Sequence, residues 1–199
     1  MSRYIDIHTH HPTLSHIEPQ GVGVHPWDAE LAGEADIEKY ASATLIGEIG
    51  LDFACDIDRT KQEAIFRREL ELAQHLKKPV VLHCVRAFEP TMNILKEYDL
   101  KAVIFHGFIG SKQQATAAIN RGYYLSFGAS SFKSPKTIEA LKNTPLDRVF
   151  IESDDSQQKI EDIYAKIAQL RGVEIESLQQ AILENYDKIF DTQLCKKNG

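Results

Sequence analysis

The chain has 199 residues, of which 43% are hydrophobic, and this is enough to bury the core of one domain over residues 1–199, with two small domains as the alternative. Its 23 lysines and arginines against 29 aspartates and glutamates give a net charge of −6, which excludes a general basic field for holding long nucleic acid. Met1–Asp6 lacks the apolar core of a signal peptide, and no window approaches the roughly 18 apolar residues of a membrane span. We therefore expect a cytoplasmic protein that makes no membrane contact.

Seven short apolar runs are predicted to form strands, since most of them are continuously apolar, as expected for strands covered on both faces. In chain order they are residues 4–8, 21–25, 44–49, 79–83, 102–106, 122–127 and 147–152. Start signals predict helices between them: a capping box at Thr60, a second at Ser111, and a capping Ser134 before Pro135. Two final helices are predicted at about residues 157–170, ended by Gly172, and 176–186. Strands separated by helices predict βαβ units and a parallel sheet.

The connection between the first two predicted strands is unusually short. Only His11–Gln20 joins them, with two prolines, and this is too short for the usual crossover helix. Ten extended residues can span roughly 30 Å, so the chain could still return to the other end of a barrel. The sequence therefore predicts an α/β fold with a TIM-barrel-like parallel barrel, truncated or distorted, with about seven strands. An open doubly wound sheet is the alternative.

Potential metal ligands stand at the ends of five of these apolar runs. They are His8, His10, Glu48, His83, His106 and Asp154. Taken singly, each could be a core histidine, a salt-bridge partner or an acidic helix start. Parallel strands that end at one face bring such residues together, however, so we expect the six to converge on one site. Their mixture of imidazole and carboxylate is typical of a dinuclear metal hydrolase, and the histidine pair suits a transition ion such as zinc.

The motifs around these residues resemble, in order, those of the TatD family of metal-dependent hydrolases in the amidohydrolase superfamily. The matching segments include Asp6–His10, Gly23–Pro26, Gly47–Asp52, His106–Gly110 and Glu152–Asp154. The resemblance implies a TIM-barrel-like fold and a site for two divalent ions, Zn, Mg or Mn. It assigns His8, His10 and Asp154 to one ion, His83 and His106 to the other, and Glu48 as the bridge between the ions.

The chain also departs from the family pattern. His11–Gln20 stands where the family has a helix, a strand and a second helix, and Val85 followed by Arg86 stands where the family tends to place an arginine. Asp155 and Ser156 replace the usual residue and proline after the last ligand. The metal ligands are thus complete, while the residues that would surround a substrate are altered.

The predicted activity is that of a phosphodiesterase or deoxyribonuclease which uses a metal-activated water. Asp154 is the predicted general base, Glu48 belongs to the same catalytic set, and His25 and Arg86 are predicted to contact a substrate phosphate. The predicted partners are a small anionic substrate or nucleic-acid ends. Two alternatives remain: hydrolysis of a small ester, lactone or amide, and a metal-binding protein whose activity is impaired by the short loop.

Overall fold

The structure, a computed structural model, describes residues 4–192. The chain divides into two compact units. Within the described residues, the first unit comprises 4–19 and 106–192, and the second unit is Gln20–Phe105. The single domain expected over residues 1–199 stays a prediction. No helix within residues 4–192 is long and apolar enough to cross a membrane.

The second unit is built on parallel strands in the order β1 to β4. These are β1 (Gly21–Val22), β2 (Leu45–Asp52), β3 (Val80–Val85) and β4 (Val103–Phe105), and they alternate with α1 (Ile37–Ser42), α2 (Arg59–Leu76) and α3 (Phe88–Leu95). A short 3-10 turn, Pro26–Asp28, follows β1. Ile46, Ile49 and Leu51 of β2 are fully buried, which explains why the strand is apolar without alternation. The predicted parallel βαβ arrangement is therefore present in this unit.

The long helix α2 begins two residues earlier than the sequence indicates. Asp58 is its N-cap, because the carboxylate accepts hydrogen bonds from the backbone N–H groups of Thr60 and Lys61. The predicted capping box at Thr60 is therefore wrong: the stronger capping side chain lies two residues upstream. α2 buries Phe66, Leu70 and Ala73 on one face, as the helical spacing predicts.

The first unit contains the parallel pair β5 (Tyr124–Phe127) and β6 (Val149–Ile151), in which Leu125 lies opposite Val149. Its helices are α4 (Lys112–Ile119), α5 (Pro135–Asn143), α6 (Ile160–Arg171) and α7 (Ile175–Phe190), with 3-10 turns at Ala129–Lys133 and Leu146–Arg148. The capping box at Ser111 and the cap at Ser134 before Pro135 are confirmed, and Gly172 ends α6 in the left-handed conformation.

The first predicted strand, residues 4–8, does not form a regular strand. Ile5 makes an isolated parallel bridge with Ile17, Thr9 makes another with Asp154, and the Ile7 N–H donates to the Ile151 carbonyl at 3.1 Å. The described residues therefore contain six strands where seven runs were predicted. The apolar residues of this segment still contribute to the core, because Ile5 and Ile7 are buried in the first unit.

Candidate metal centre

The histidine pair of the first unit is held against Asp154 by the backbone. The His10 N–H donates to the Asp154 carbonyl at 3.1 Å, and the Asp154 N–H donates to the His8 carbonyl at 3.0 Å. Thr9, between the two histidines, forms the bridge with Asp154. A run that is too irregular to be called a strand thus still places both imidazoles beside the carboxylate at the end of β6.

The side chains of this group have the spacing of metal ligands. Asp154 Oδ1 lies 3.7 Å from His8 Nε2 and 3.6 Å from His10 Nε2. Ligand atoms of His8, His106 and Asp154 all lie within 4.8 Å of one another. Ligands at about 2.1 Å from a tetrahedral ion are roughly 3.4 Å apart, so the group fits a first-row divalent ion after small adjustments.

A buried carboxylate, Asp6, fixes the segment that carries Asp154. Asp6 accepts hydrogen bonds from the backbone N–H of Ser153 at 2.9 Å and from the Ser153 hydroxyl at 2.5 Å, and the same hydroxyl lies 2.9 Å from Thr9 Oγ1. Burial raises the pKa of Asp6 to about 7, although the bonds from Ser153 act in the opposite direction. Asp6 thus ties the histidine motif to the residue that precedes Asp154.

Glu152 is the second buried carboxylate of this unit. Its side chain is fully buried, accepts a hydrogen bond from the Gly107 N–H, and lies 3.7 Å from His106 Nδ1. Burial opposes the ionisation of Glu152, but the neighbouring imidazoles of His106 and His8 outweigh it and keep the pKa of the carboxyl below its usual value. Glu152 thus places a buried negative charge beside the His106 ring, at a separation longer than a direct hydrogen bond.

A cavity of about 240 Å³ opens beside Asp154 in the first unit. It is lined by Gly107, Gly128, Ala129, Ser130, Lys133 and the segment from Glu152 to Ser156. Ligand pockets are commonly 300–1,000 Å³, so a cavity of this size suits a single phosphate-sized group rather than a duplex. Lys133 brings a positive charge into a lining that also carries three carboxylates, those of Glu152, Asp154 and Asp155.

In the second unit, His25, Glu48 and His83 form another close group. His83 Nδ1 lies 2.5 Å from Glu48 Oε1, while His25 Nε2 lies 3.3 Å from both of these atoms. Distance alone would allow all three side chains to hold an ion. Hydrogen bonding distinguishes the two histidines. The nitrogen that faces away from Glu48 meets a carboxylate in His83, whereas in His25 it accepts from a backbone N–H.

His83 has the second partner that metal-binding histidines usually have. Its Nε2 lies 3.2 Å from Asp52 Oδ2, and in the tautomer with the proton on Nε2 the lone pair of Nδ1 is available to an ion beside Glu48. Asp52 is buried, and its carboxylate also accepts from the Trp27 indole at 2.8 Å and from the Ala54 N–H at 2.8 Å. Burial opposes the ionisation of Asp52, yet these donors outweigh it and lower the pKa of the carboxyl.

In His25, by contrast, it is Nε2 and not Nδ1 that faces Glu48. Its Nδ1 accepts a hydrogen bond from the Trp27 backbone N–H at 3.2 Å, so in the neutral ring the proton belongs on Nε2. An Nε2–H group donates hydrogen bonds and cannot ligate a metal. The geometry therefore favours Glu48 and His83 as ligands, and it supports His25 as a donor to an anion.

Local backbone features bring Glu48 and His83 together on neighbouring strands. Gly50 lies opposite His83 with φ +144°, where a Cβ would collide with the His83 carbonyl. Gln62 of α2 is fully buried and makes two hydrogen bonds to the end of β2. Its Oε1 accepts from the Asp52 N–H at 2.8 Å, and its Nε2 donates to the Asp52 carbonyl at 2.9 Å. The helix thereby fixes Asp52, which in turn fixes His83.

Arg86 follows β3 as an exposed residue in the left-handed conformation, with φ +51°. The sequence indicated Arg86 as a phosphate contact because it directly follows Val85, which stands where the family tends to place an arginine, and this role stays a prediction. The supporting residues Asp6, Asp52, Gln62 and Glu152 were not predicted. The signal was present, since Asp6, Asp52 and Glu152 stand inside the same motifs as the ligands.

Comparisons with known proteins agree with this chemistry. A family model described as TatD related DNase matches residues 13–191, beginning just after the His8–His10 motif. A metal-dependent hydrolase of Bacillus subtilis, YabD, whose own function is uncharacterized, is 30% identical over 195 aligned residues that cover 85% of this chain and 76% of YabD. Human deoxyribonuclease TATDN3 is 31% identical over 171 residues, 77% of this chain and 62% of TATDN3.

A solved structure shows the fold. The crystal structure of YjjV, a TatD homologue from Escherichia coli K12, matches 87% of this chain and 76% of its own chain, with a TM-score of 0.77 and 26% identity. The predicted α/β, TIM-barrel-like fold is confirmed by this match. The ordered motifs, the family match and the fold lead to one conclusion. The chain belongs to the TatD-related DNase family of metal-dependent hydrolases.

Proposed function

We propose that this enzyme is a phosphodiesterase that cleaves short or single-stranded nucleic-acid ends with two divalent ions and a water nucleophile. The observation that carries the proposal is the pairing of imidazole and carboxylate at ligand spacing in each unit: His8, His10 and Asp154 in the first, and Glu48 with His83 in the second. In both units a buried carboxylate lies beside a histidine: Asp52 at hydrogen-bond distance from His83, and Glu152 at 3.7 Å from His106.

The ligand set proposed is the one the sequence predicted: His8, His10, Glu48, His83, His106 and Asp154. Convergence of all six on one dinuclear site stays a prediction. Imidazole and carboxylate donors suit zinc and manganese, and a carboxylate-rich set also accepts magnesium. Divalent ions in such sites supply Lewis acidity and bring the ionisation of water towards neutral pH.

Side chains of the protein would then accept and donate the protons of the reaction. Asp154 is the proposed general base, since its side chain is 34% exposed and a water molecule can reach it. His25, whose ring carries its proton on Nε2, is proposed to donate to a phosphate oxygen. Lys133 would add a positive charge in the cavity beside Asp154. These roles need no extended basic surface, in agreement with the net charge of −6.

Hydrolysis of matched chromogenic substrates tests the reaction class. Purified enzyme with added Mg, Mn or Zn should cleave bis(p-nitrophenyl) phosphate and a single-stranded oligonucleotide, and a chelator should abolish both activities. Cleavage of p-nitrophenyl acetate alone would favour the ester alternative. Two tightly bound ions per chain without any turnover would favour an impaired metal-binding protein.

Metal content per chain tests whether His83 is a metal ligand and His25 a hydrogen-bond donor. We expect His83→Ala to lose about one ion per chain, whereas His25→Ala should keep both ions and lose turnover. His25→Gln, which restores an N–H donor, should recover part of the activity. His75→Ala is a suitable control, because His75 is exposed on α2. Loss of an ion in His25→Ala would mean that His25 is a ligand after all.

A further inference from the structure

Trp27 is the single tryptophan of the chain, and it is unusually exposed for a tryptophan. The side chain is 58% exposed, although it stands directly beside His25 in the second unit. Single exposed apolar side chains are common on protein surfaces, so the exposure of Trp27 becomes informative through its fixed orientation and its place beside His25. The polar atom of Trp27 is satisfied inside the protein, and this leaves the aromatic surface as the part open to a ligand.

The orientation of Trp27 is fixed from two sides. The indole N–H donates to the buried carboxylate of Asp52 at 2.8 Å, and the backbone N–H donates to His25 Nδ1 at 3.2 Å. A hydrogen bond to an ionised acceptor is stronger than one between neutral groups. Pro26 further restricts the backbone of the turn that carries Trp27. The ring therefore loses little conformational freedom when a ligand packs against it.

The ring stands close to residues of the proposed reaction. Its centroid lies 4.8 Å from that of His25 with an interplanar angle of 85°, and 6.2 Å from that of His83 with an angle of 72°. Both contacts are nearly perpendicular, so neither imidazole covers the indole by parallel stacking. A flat group attached to a phosphate held by His25 would meet this ring.

We infer that Trp27 is a stacking platform for a nucleobase of the substrate, adjoining the scissile phosphate. The inference rests on the proposed function and deepens it, because it names the substrate class as nucleotides and single-stranded ends rather than simple phosphodiesters. Every base has a π-face, so such a platform tolerates any sequence. A base must be unstacked to reach it, so duplex interiors are excluded.

Two esters with the same leaving group isolate the base. Thymidine 5′-(p-nitrophenyl phosphate) carries a base, whereas methyl p-nitrophenyl phosphate does not. Compared with Trp27→Phe, which lacks the same indole N–H, Trp27→Leu should lower kcat/KM for the thymidine ester by roughly 5- to 150-fold, the range of stacking losses on truncation, and leave the methyl ester within about twofold. Trp27→Phe keeps a ring without the N–H and should retain most of the preference. Leu31→Ala, at a side chain 84% exposed in the same unit, is the matched control.

Fluorescence of the single tryptophan gives a readout that does not depend on turnover. Titration of the metal-loaded wild-type enzyme with thymidine 5′-monophosphate should quench Trp27 saturably, and methyl phosphate should not. Equal losses on both esters, or no loss on either, would overturn the platform. If wild type cleaves neither ester, the proposed function fails, and quenching by the nucleotide then decides the platform alone: saturable quenching supports it, and its absence refutes it.

Discussion

Replacement of Glu152 by glutamine tests whether the buried carboxylate behind His106 contributes to metal binding. The substitution preserves shape and leaves an amide oxygen that can accept from the Gly107 N–H. What it removes is a full negative charge, buried and 3.7 Å from His106 Nδ1. We therefore expect the variant to fold and to bind its ions more weakly.

The size of the loss follows from this distance. At 3.7 Å and an effective dielectric constant of about 20, a carboxylate and a fully charged imidazolium attract by about 4.5 kcal/mol. A neutral ligand imidazole carries only part of that charge, so the loss must be smaller. Removal of such a supporting carboxylate typically costs about 10- to 100-fold in metal affinity, or about 1.4–2.7 kcal/mol.

Competition with a chromophoric chelator measures the affinity of each ion in wild type and in Glu152→Gln. Glu139→Gln makes the same chemical change at an exposed position of α5 and should bind as wild type does. Circular dichroism of the metal-free proteins separates a loss of affinity from a loss of fold. Wild-type affinity for both ions in a folded Glu152→Gln would refute the reasoning.

Three further predictions concern the base, the support of Asp52 and the substrate. Asp154→Asn should lower kcat by at least about 100-fold while the circular dichroism spectrum is kept, because it removes the base without changing shape; unchanged turnover would exclude this role. Gln62→Leu should lower the free energy of unfolding in urea by about 2–5 kcal/mol, because the buried N–H and carbonyl of Asp52 lose their partner; a loss below about 1 kcal/mol would contradict this. Cleavage should be faster for short single strands than for long duplex, and affinity should fall shallowly with salt; a steep slope would reveal a missed basic surface.

The candidate ligands could be identified in the sequence because their signal is local and repeated. A strand buried on both faces reads as a continuous apolar run, so a histidine or carboxylate at its end stands out. Glu48 and His83 were found in this way, and Asp154 was found beside the end of β6. The pattern could not show that residues 4–8 lack regular pairing, since pairing depends on the partner strand. It also missed Asp58 as the cap of α2, where two candidate caps compete within three residues.

The supporting carboxylates were harder to predict, because their role depends on contacts distant in sequence. Asp52 and His83 are 31 residues apart and meet only because β2 and β3 pair in the observed register, with Asp52 beside Val85 and Gly50 beside His83. Nothing in the local sequence distinguishes a carboxylate that supports a ligand from one that faces solvent. The same limit applies to His25, whose role depends on which of its nitrogens is already used.

Asp52 has the widest consequence of these residues, because one carboxylate fixes both a proposed ligand and the proposed base platform. Oδ2 accepts from the Trp27 indole and lies 3.2 Å from His83 Nε2, so the orientations of the two rings are coupled through a single oxygen. His25 is tied to the same turn through the Trp27 backbone. A change in the orientation of the His83 ring would thus also alter the hydrogen bond of the indole. In this arrangement, the orientation of the proposed ligand His83 and that of the proposed base platform Trp27 both depend on Asp52.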